Sequence, residues 1–556
     1  VVAAVYMYRA VASLYPPRET FPILPLGATI LLLAEMRMQW AALSGMETTL
    51  FICLLLAVFY YFKIQKPVPL GISGGLLLWT RPEAVIMFIA LTLDVIYHGL
   101  WASTQRTASK QKPKKTAQQL SLHWLKPALL VIGVFAFAYF AFNLSLSGSV
   151  FPNTFSAKLK YYGAGVRTGF PAQVWHFVTD GHMLPVAILA GVGLIGIVAR
   201  VLRREPQSLL VPLLFSAGMF LAYWMKLPYL YQEGRYLMPI LPFVLLLGAE
   251  GIHLTVQRIT NLFGSRVRQA IPALQATLLL AMAAQFVHAS WEKRRDYAEM
   301  CRYIHQRQVR TAHWLREHTP PNAVIGTHDI GAIAYYSGRR VADMVGLVSP
   351  EMIERIGSLE RLHHFLVEKN VTHLAALRNW FEVVNQPPLF KTNEREPEIM
   401  EVFAFDPRRT HLTSQDVTRA VVAASQYLYQ GQASIAEQIL VRALQIDPQN
   451  SKVYYLLGMT HLALGRLEEA SRELATALRL YPEFVEAGVG LAQLDARQNR
   501  TEEALSRLQQ LAREHPHAPV VFRALAEVYR HGKGDTAQAR MHMQRFAELV
   551  QQESQN

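Results

Sequence analysis

The stretch SKVYYLLGMTHLALGRLEEASRELATALRLYPEF, residues 451–484, describes one unit of a repeat. Small residues and leucines recur through it at helical spacing, and Pro482 closes it. The pattern returns in phase about 34 residues before and after, and a fourth, imperfect unit follows. Small side chains at these positions let two helices of one unit pack closely, so stacked helix pairs are predicted. The residues in phase are Tyr427, Gly431, Ala436, Leu440, Ala443 and Pro448, then Tyr454, Leu457, Gly458, Ala470, Leu474, Ala477 and Pro482, then Leu491, Ala492, Ala504, Leu508 and Pro516.

Residues 417–552 therefore resemble a tetratricopeptide array, an all-α solenoid whose stacked repeats form a concave binding surface. The resemblance implies that this part of the chain binds a protein partner. The alternative is an unrelated helical bundle, which three units in phase disfavour.

Residues 1–290 differ from the rest because apolar runs dominate them. A helix needs about 20 residues to cross about 30 Å of hydrocarbon, and several runs are shorter than that. We expect a polytopic α-helical membrane domain with roughly eight to ten spans. The runs cover approximately residues 1–15, 22–38, 47–62, 68–79, 84–98, 127–146, 183–200, 209–225, 237–256 and 271–290.

The charge distribution predicts the orientation of these spans. The net charge is +14, and the densest groups of Lys and Arg lie in short loops between apolar runs. This pattern favours membrane topology over binding of nucleic acid, and the positive-inside rule makes the basic loops cytoplasmic. The basic loops lie near residues 63–66, 99–126, 200–204 and 258–268. The opposite, extracytoplasmic side then holds residues 39–46, 80–83, 147–182 and 226–236, and everything after 291.

Polar motifs occur in all four of the extracytoplasmic loops between spans. Charged groups next to hydrocarbon are costly, so they are rarely placed there without a partner or a task. The sides of the membrane were assigned from the basic loops alone, so the assignment does not depend on these motifs. Their common side predicts a site for a polar, anionic substrate at the membrane surface. The motifs are Ser44-Gly45-Met46-Glu47-Thr48, Thr80-Arg81-Pro82-Glu83, Pro152-Asn153-Thr154 with Lys158, and Glu233-Gly234-Arg235-Tyr236.

The charged side chains of the first two motifs each have two interpretations. Glu47 begins an apolar run, where the dipole of a helix N-terminus favours a carboxylate, and the alternative is a carboxylate of the site. Arg81 and Glu83 flank a proline, so they form either a local ion pair or a phosphate contact through the arginine. The planar fork of arginine matches phosphate oxygens. The sequence alone leaves these alternatives open.

The charged residues of the last two motifs also have more than one interpretation. Asn153 and Lys158 begin the longest outer loop, and Lys158 is either a phosphate partner or part of an ordinary interfacial belt. Arg235 and Tyr236 lie where a span enters the membrane. Arg235 is an interfacial anchor, an ion-pair partner of Glu233, or a contact to an anionic lipid headgroup. It is the strongest candidate for the last of these roles.

Residues 291–410 alternate short apolar strands with helical segments, which predicts a small soluble α/β domain. His328 and Asp329 follow one of the strands. They could form a metal or acid/base pair, but no ligand spacing typical of a metal site occurs nearby. A hydrogen-bonded loop carboxylate before a helix is the favoured interpretation of Asp329.

In their order, the four motifs resemble those of bacterial membrane glycosyltransferases of the GT-C superfamily, especially the arabinofuranosyltransferase-like and mannosyltransferase-like branch. The later stretch Asp329-Ile330-Gly331…Tyr335-Tyr336…Asp343…Gly346-Leu347…Pro350 resembles the soluble segment that follows the last spans in that branch. The resemblance covers approximately residues 20–350. The repeats are an addition, similar to those of membrane O-mannosyltransferases that carry tetratricopeptide arrays.

The resemblance implies an inverting transfer of sugar from a polyprenyl-phosphate-linked donor to a glycan or protein acceptor. It places the reaction on the outer face of a bacterial inner membrane, with the C-terminal domains extracytoplasmic. Membrane lipids are further partners, and the repeats bind a protein or present the acceptor. No cofactor is implied, and the sequence leaves the need for a divalent metal open. The implied site residues are Arg235, Arg81 and Lys158 for the donor phosphate, with Glu47, Glu83, Asn153 and Tyr236 in support.

In that family the general base belongs to an acidic pair just after the first span. Residues 1–290 contain no Asp-Asp or Asp-Glu pair, and the chain begins at Val1. We therefore expect the base to lie upstream of Val1, together with one or two spans.

Two rival hypotheses come from other functional classes. The first is a non-catalytic membrane scaffold that recruits partners through its repeats. The second is a transporter, which is disfavoured because the charged residues gather at one face and not in the middle of the spans.

Overall fold

The computed structural model describes residues 1–15, 22–108, 122–150, 157–158, 169–205, 208–263, 269–393 and 398–555. These residues form two units, Val1–Met300 and Cys301–Asn556. Of the predicted site residues, Asn153 lies outside the described ranges.

Every apolar run predicted in the first unit contains a helix. Helices suit such sequences because they satisfy their backbone hydrogen bonds internally and leave an apolar surface. The helices are α1 Val2–Leu14, α2 Ile23–Ala34, α3 Met36–Leu43, α4 Thr48–Lys63, α5 Pro67–Thr80, α6 Ala84–Ala108, α7 Lys126–Ser147, α8 Phe170–Asp180, α9 Leu184–Leu202, α10 Leu210–Lys226, α11 Leu241–Phe263 and α12 Ile271–Ile304.

Local chemistry sets the ends of several of these helices. Proline occupies the first turn of α5 and of α7, where its missing N–H is not needed. Gly148 ends α7 in the left-handed conformation that glycine adopts at low cost. The Glu35 carboxylate begins α3 by accepting hydrogen bonds from the backbone N–H groups of Arg37 and Met38.

Only some of these helices are long enough to cross a membrane unaided. Within the described residues, four helical runs pass by length and composition, and a fifth does so if the bent pair α3 and α4 counts as one span. The shorter apolar helices have 10–17 residues. The expectation of eight to ten spans depends on those shorter helices and stays a prediction. The four runs are His123–Leu146, Leu184–Leu202, Met238–Phe263 and Ile271–His318.

Glycines let α9 and α11 pack closely. A Cβ at Gly251 would overlap the carbonyl of Leu189, and one at Gly193 would overlap the carbonyl of Leu247. Small residues at such an interface allow two helix backbones to approach, as they do in helix pairs within membranes.

The strands of the second unit are β1 Val324–Thr327, β2 Arg340–Asp343, β3 His373–Leu377, β4 Glu382–Val383, β5 Phe390–Lys391, β6 Met400–Ala404 and β7 Leu412–Thr413. Five of them form a mixed sheet of order β2-β1-β3-β6-β5. Strand β1 is parallel to β2 and β3, while β6 is antiparallel to β3 and β5. A separate two-stranded sheet pairs β4 with β7. The predicted small sheet with helices is present. Its helices are α13 Arg310–His318, α14 Ile330–Ser337 and α15 Leu359–Glu368.

The predicted repeats follow as consecutive helix pairs. Gly458 shows why the repeat needs a small residue there, because a Cβ would lie 2.7 Å from Cγ of Leu474 on the partner helix. The prediction of a helical solenoid is confirmed. Its helices are α16 Gln415–Tyr429, α17 Ala433–Ile446, α18 Ser451–Ala463, α19 Leu467–Leu480, α20 Val485–Arg497, α21 Thr501–Glu514, α22 Pro519–Val528 and α23 Thr536–Gln555.

A buried polar network joins the two-stranded sheet to the first repeats. The Asp447 carboxylate accepts hydrogen bonds from Thr413 Oγ1 at 2.6 Å and Asn450 Nδ2 at 3.1 Å, and it lies 2.8 Å from His411 Nε2. Burial alone would raise the pKa of the Asp447 carboxyl, but its hydrogen bonds to His411 and Thr413 hold that pKa below its ordinary value. The carboxylate therefore stabilises the junction in its charged form.

The variant Asp447→Asn tests this network. We expect it to lower the free energy of opening of strand β7 by about 1–3 kcal/mol at about pH 7, because buried partners of the carboxylate lose a charged acceptor. Hydrogen exchange of the whole protein measures the change. The folded pKa lies below the unfolded value of about 3.9, so the stabilisation is complete above that value and is lost as pH falls through the folded pKa.

The matched control for this prediction is Asp416→Asn. Asp416 forms an exposed ion pair with Arg419 at 2.6 Å. Exposed pairs contribute little, so the control should change stability by less than about 0.5 kcal/mol. Equal effects of the two variants would contradict the importance of the buried network.

Candidate functional site

Helix ends and turns of the first unit carry the predicted site residues. Their close approach depends on the packing of several helices and cannot be inferred from spacing in the sequence. Glu47 directly precedes α4, Arg81 and Glu83 lie between α5 and α6, Arg235 and Tyr236 lie between α10 and α11, and Lys158 lies between α7 and α8.

The ring of Tyr236 is the centre of this cluster. The distances to its centroid are 5.3 Å from Arg235 Cζ, 5.7 Å from Lys158 Nζ and 6.0 Å from Arg81 Cζ. A cation within about 6 Å of an aromatic ring is attracted to the electron-rich face of that ring. The structure thus brings together residues from three of the four motifs around one side chain, and Glu47 adds the remaining motif through Arg81.

Arg81 forms the local ion pair that was one of its two interpretations. Its Nη2 donates to Glu83 Oε1 at 2.8 Å and its Nε donates to Oε2 at 3.3 Å. Glu47 Oε1 lies 4.0 Å from Nη1. Burial alone would raise the pKa of the Glu83 carboxyl, but the adjacent Arg81 guanidinium holds it below its ordinary value. Glu83 is therefore a carboxylate that keeps the arginine in place.

Tyr223 is a member of the cluster that the sequence patterns did not indicate. Its hydroxyl donates to Glu83 and accepts from Arg81 Nη2 at 3.3 Å. Its ring stacks on Tyr236 with centroids 5.0 Å apart. Tyr223 lies within the apolar run of α10, where a tyrosine looks like one more apolar residue. Only its hydroxyl, which needs a hydrogen-bond partner when buried, distinguishes it from the apolar residues around it.

Two guanidinium nitrogens in the cluster are buried without a hydrogen-bond partner among the described residues. They are Arg81 Nη1 and Arg235 Nε. Arg235 Nη1 donates to Gln232 Oε1 at 2.7 Å, so the ion pair with Glu233 that the sequence left open is not formed. Buried polar groups nearly always find a partner, so these two donors are suited to hydrogen-bond the oxygens of an anion.

The cluster carries an excess of positive charge. Arg81, Lys158 and Arg235 face the carboxylates Glu47 and Glu83, so three cations meet two anions. Burial lowers the pKa of the Lys158 ammonium, and the nearby charges of Arg235 and Arg81 lower it further. An anion bound between these cations would relieve their repulsion.

An unusual turn presents Arg235 to the cluster. Gln232, Glu233 and Gly234 all have positive φ, at 49°, 55° and 75°. Residues other than glycine rarely adopt this conformation, and it persists where the surrounding structure holds it, often at functional sites. A Cβ at Gly234 would overlap the ring of Phe177. Packing against Phe177 therefore holds the turn and requires glycine there.

A second buried ion pair supports the same ring. The Arg37 guanidinium lies 3.9 Å from the centroid of Phe177 and donates to the Phe177 carbonyl oxygen. Its Nη1 also donates to Glu35 Oε1 at 2.8 Å, and both charged residues are buried. The sequence patterns did not single them out. Two opposite charges inside an apolar run were the signal that could have found them.

His328 and Asp329, in the second unit, each contact other side chains of that unit. The His328 ring stacks on Trp380 with centroids 5.2 Å apart, and burial lowers its pKa to about 4. Asp329 accepts a hydrogen bond from Gln308 Nε2 at 2.7 Å, which satisfies the carboxylate as expected. Across the described ranges, no group of three His, Cys, Asp or Glu side chains is arranged to hold a metal ion.

Comparison with known families supports the C-terminal repeats. A domain of unknown function (DUF8728) matches residues 298–436, and tetratricopeptide repeat families match residues 427–483 and 486–518. The C-terminal part of the chain thus carries tetratricopeptide repeats, as predicted. No curated protein matches the chain. These comparisons add no support to the glycosyltransferase resemblance.

Solved structures that resemble the chain cover about a quarter of it. A tetratricopeptide protein of Thermus thermophilus is 22% identical, with a TM-score of 0.23, and the match covers 24% of this chain and 74% of that one. MamA is 17% identical, with a TM-score of 0.21 and coverage of 25% and 81%. MamA from Desulfovibrio magneticus is 17% identical, with a TM-score of 0.21 and coverage of 24% and 76%. This likeness concerns the fold alone.

The strained turn can be tested with Gly234→Ala. We expect a loss of stability of about 1–3 kcal/mol from overlap with Phe177, in addition to the cost of a left-handed alanine. Thermal unfolding of the whole protein measures it. Gly45→Ala is the matched control, because Gly45 has a φ of 68° but no atom within 4 Å of the position that a Cβ would take. Equal losses would show that Phe177 does not constrain the turn.

Proposed function

We propose that the chain is a membrane glycosyltransferase that transfers a sugar from a polyprenyl-phosphate-linked donor to an extracytoplasmic glycan or protein acceptor. The observation that carries this proposal is the cluster around Tyr236, where three cations meet two carboxylates. Unpartnered donors on Arg81 and Arg235 suit the oxygens of a phosphate group. The apolar helices of the same unit suit a lipid-linked substrate.

The chemistry of such a transfer assigns a role to the three cations of the cluster. The bond between the anomeric carbon and the phosphate oxygen breaks, so negative charge grows on the departing phosphate. Arg235 and Lys158 stabilise that charge, and Arg81 is already held in position by Glu83 and Tyr223. Donors that are fixed before the reaction stabilise a developing charge without reorganising. The acceptor oxygen forms the new bond to the anomeric carbon, and a carboxylate base accepts the proton of that hydroxyl, as base catalysis requires.

The location of the cluster follows from the basic loops. The positive-inside rule assigns the loops that carry Glu47, Arg81 and Arg235 to the extracytoplasmic side of a bacterial inner membrane. Polyprenyl-phosphate sugars are presented to GT-C enzymes on that side. No cofactor is part of this proposal.

A second candidate function is a membrane scaffold that recruits partners. The tetratricopeptide repeats favour it, because they indicate protein–protein interaction. The two candidates differ in their need for the cluster around Tyr236. A scaffold tolerates loss of the cations there, whereas the enzyme depends on them.

Arg235→Ala separates the two candidates. We expect sugar transfer from a polyprenyl-phosphate donor to fall by at least about 100-fold, since a donor that stabilises transition-state charge is lost. The assay uses the full-length protein in membranes with radiolabelled donor. Arg203→Ala, which removes an exposed arginine from a predicted cytoplasmic loop, serves as the control. Unchanged turnover in Arg235→Ala would contradict the assignment of Arg235 to the donor phosphate.

The pH dependence of phosphate binding tests Lys158. Because the pKa of Lys158 is below its ordinary value, the ammonium loses its proton at a lower pH than a free lysine does. Affinity for a short prenyl phosphate, measured by calorimetry, should therefore decrease as pH rises through that lowered pKa. Lys158→Arg keeps its charge throughout this range, so its affinity should stay constant. A wild-type affinity independent of pH up to about 10 would contradict the role of Lys158.

A further inference from the structure

The first unit contains a cavity of about 130 Å³ that the cluster around Tyr236 does not use. Its lining includes the aromatic side chains of Trp40 and Tyr297, together with Arg37, Glu233 and Lys293. Ligand sites of this kind combine apolar and aromatic walls with a few polar groups. The volume is below the usual range of about 300–1,000 Å³ for drug-sized ligands, so it suits one small ring.

Glu233 is the unusual member of this lining. It is half-buried, it makes no direct hydrogen bond or ion pair among the described residues, and the charge of Lys293 reaches it only at longer range. Two other carboxylates of this unit are directly paired: Glu35 bonds to Arg37, and Glu83 bonds to Arg81. A partly buried carboxylate without a direct partner has unused capacity to accept hydrogen bonds.

The strained turn of residues 232–234 connects the cavity with the cluster around Tyr236. Glu233 lines the cavity, and Arg235, two residues later, approaches the Tyr236 ring. Phe177 also links the cavity to the turn. Its ring packs against Gly234 and lies under the guanidinium of Arg37, which lines the cavity. A ligand in the cavity therefore lies next to the turn that presents Arg235.

The charges of the lining favour a neutral ligand. Arg37 is neutralised by Glu35 at 2.8 Å, and Lys293 is neutralised by Asp296 at 3.0 Å. Arg294 stacks on the ring of Trp291 at 3.7 Å. Among the described residues Arg294 has no carboxylate partner, so one unpaired cation and one unpaired carboxylate, Glu233, remain in the lining and their charges balance. The free acceptor is a carboxylate, which needs hydroxyl or amide donors from the ligand.

We propose that this cavity binds one ring of a neutral carbohydrate, and that Glu233 accepts a hydrogen bond from one of its hydroxyl groups. Trp40 and Tyr297 provide the aromatic surface on which the C–H face of a sugar ring packs. This proposal rests on the proposed function, in which the bound carbohydrate is the acceptor. It makes Glu233 a specificity-determining residue on the acceptor side of the phosphate cluster.

Saturation-transfer NMR with the detergent-solubilised full chain tests the proposal. The probes are the methyl glycosides of mannose, glucose, galactose and arabinose, with methyl glucuronide as an anionic comparison. We expect at least one neutral glycoside to bind, and its affinity to fall at least about tenfold in Glu233→Gln and in Trp40→Ala. Glu292→Gln is the matched control, because Glu292 lies on the same helix as Lys293 but does not line the cavity.

Binding of citronellyl phosphate to each variant separates this proposal from the proposed function. Loss of glycoside binding in Glu233→Gln, with citronellyl phosphate binding intact, supports the carbohydrate site. Wild-type protein that binds citronellyl phosphate but none of the glycosides overturns it and leaves the phosphate site standing. Glycoside binding that survives Glu233→Gln, or stronger binding of methyl glucuronide, also overturns it. Failure to bind citronellyl phosphate counts against the proposed function alone.

Turnover gives a second readout where an acceptor is known. Glu233→Gln should raise the KM for the acceptor at least about tenfold and leave the KM for the donor unchanged. The reason is that the lost hydrogen bond holds the acceptor equally in the ground state and in the transition state. A rise in the donor KM of equal size would place Glu233 in the phosphate site and overturn the assignment.

Discussion

The buried Arg81 guanidinium is the constraint on which the cluster around Tyr236 depends. A buried charge is tolerated only when it is paired and hydrogen-bonded, since its desolvation costs several kcal/mol. Glu83 supplies the opposite charge through two hydrogen bonds, and Tyr223 holds both partners from α10. Because Tyr223 also stacks on Tyr236, the pair fixes the ring around which Lys158 and Arg235 gather. The positive cluster thus depends on one ion pair made by residues two apart in the sequence.

A second buried charge has a similar effect in the neighbouring part of the unit. Arg37 needs Glu35 and the Phe177 carbonyl as partners, and its guanidinium covers the Phe177 ring. The ring in turn leaves no space for a side chain at Gly234, so the turn before Arg235 keeps its left-handed backbone. Strain of this kind persists only where the surroundings over-determine it. Two separate ion pairs therefore set the position of one presented arginine.

The elements could be predicted from the sequence with more success than the contacts. Apolar runs and the 34-residue spacing predicted the helices and the repeats, because both patterns reflect local periodicity. The sequence also predicted that the polar motifs share one site, with Arg81, Lys158 and Arg235 among its residues. The structure brings these three side chains around one ring. The prediction missed Tyr223, which resembles its apolar neighbours in α10. Asn153 lies outside the described residues, and the roles of all these residues stay predictions.

The sequence by itself determined the helices, the small sheet and the tetratricopeptide solenoid, since each has a periodicity or composition that one short segment carries. Tertiary structure alone decided which polar groups meet. Arg235 could pair with Glu233 by spacing, but the left-handed turn separates them and directs Arg235 to Gln232 and Tyr236. The physical reason is that pairing of charges depends on distance and burial in space, and both are set by the packing of segments far apart in the chain.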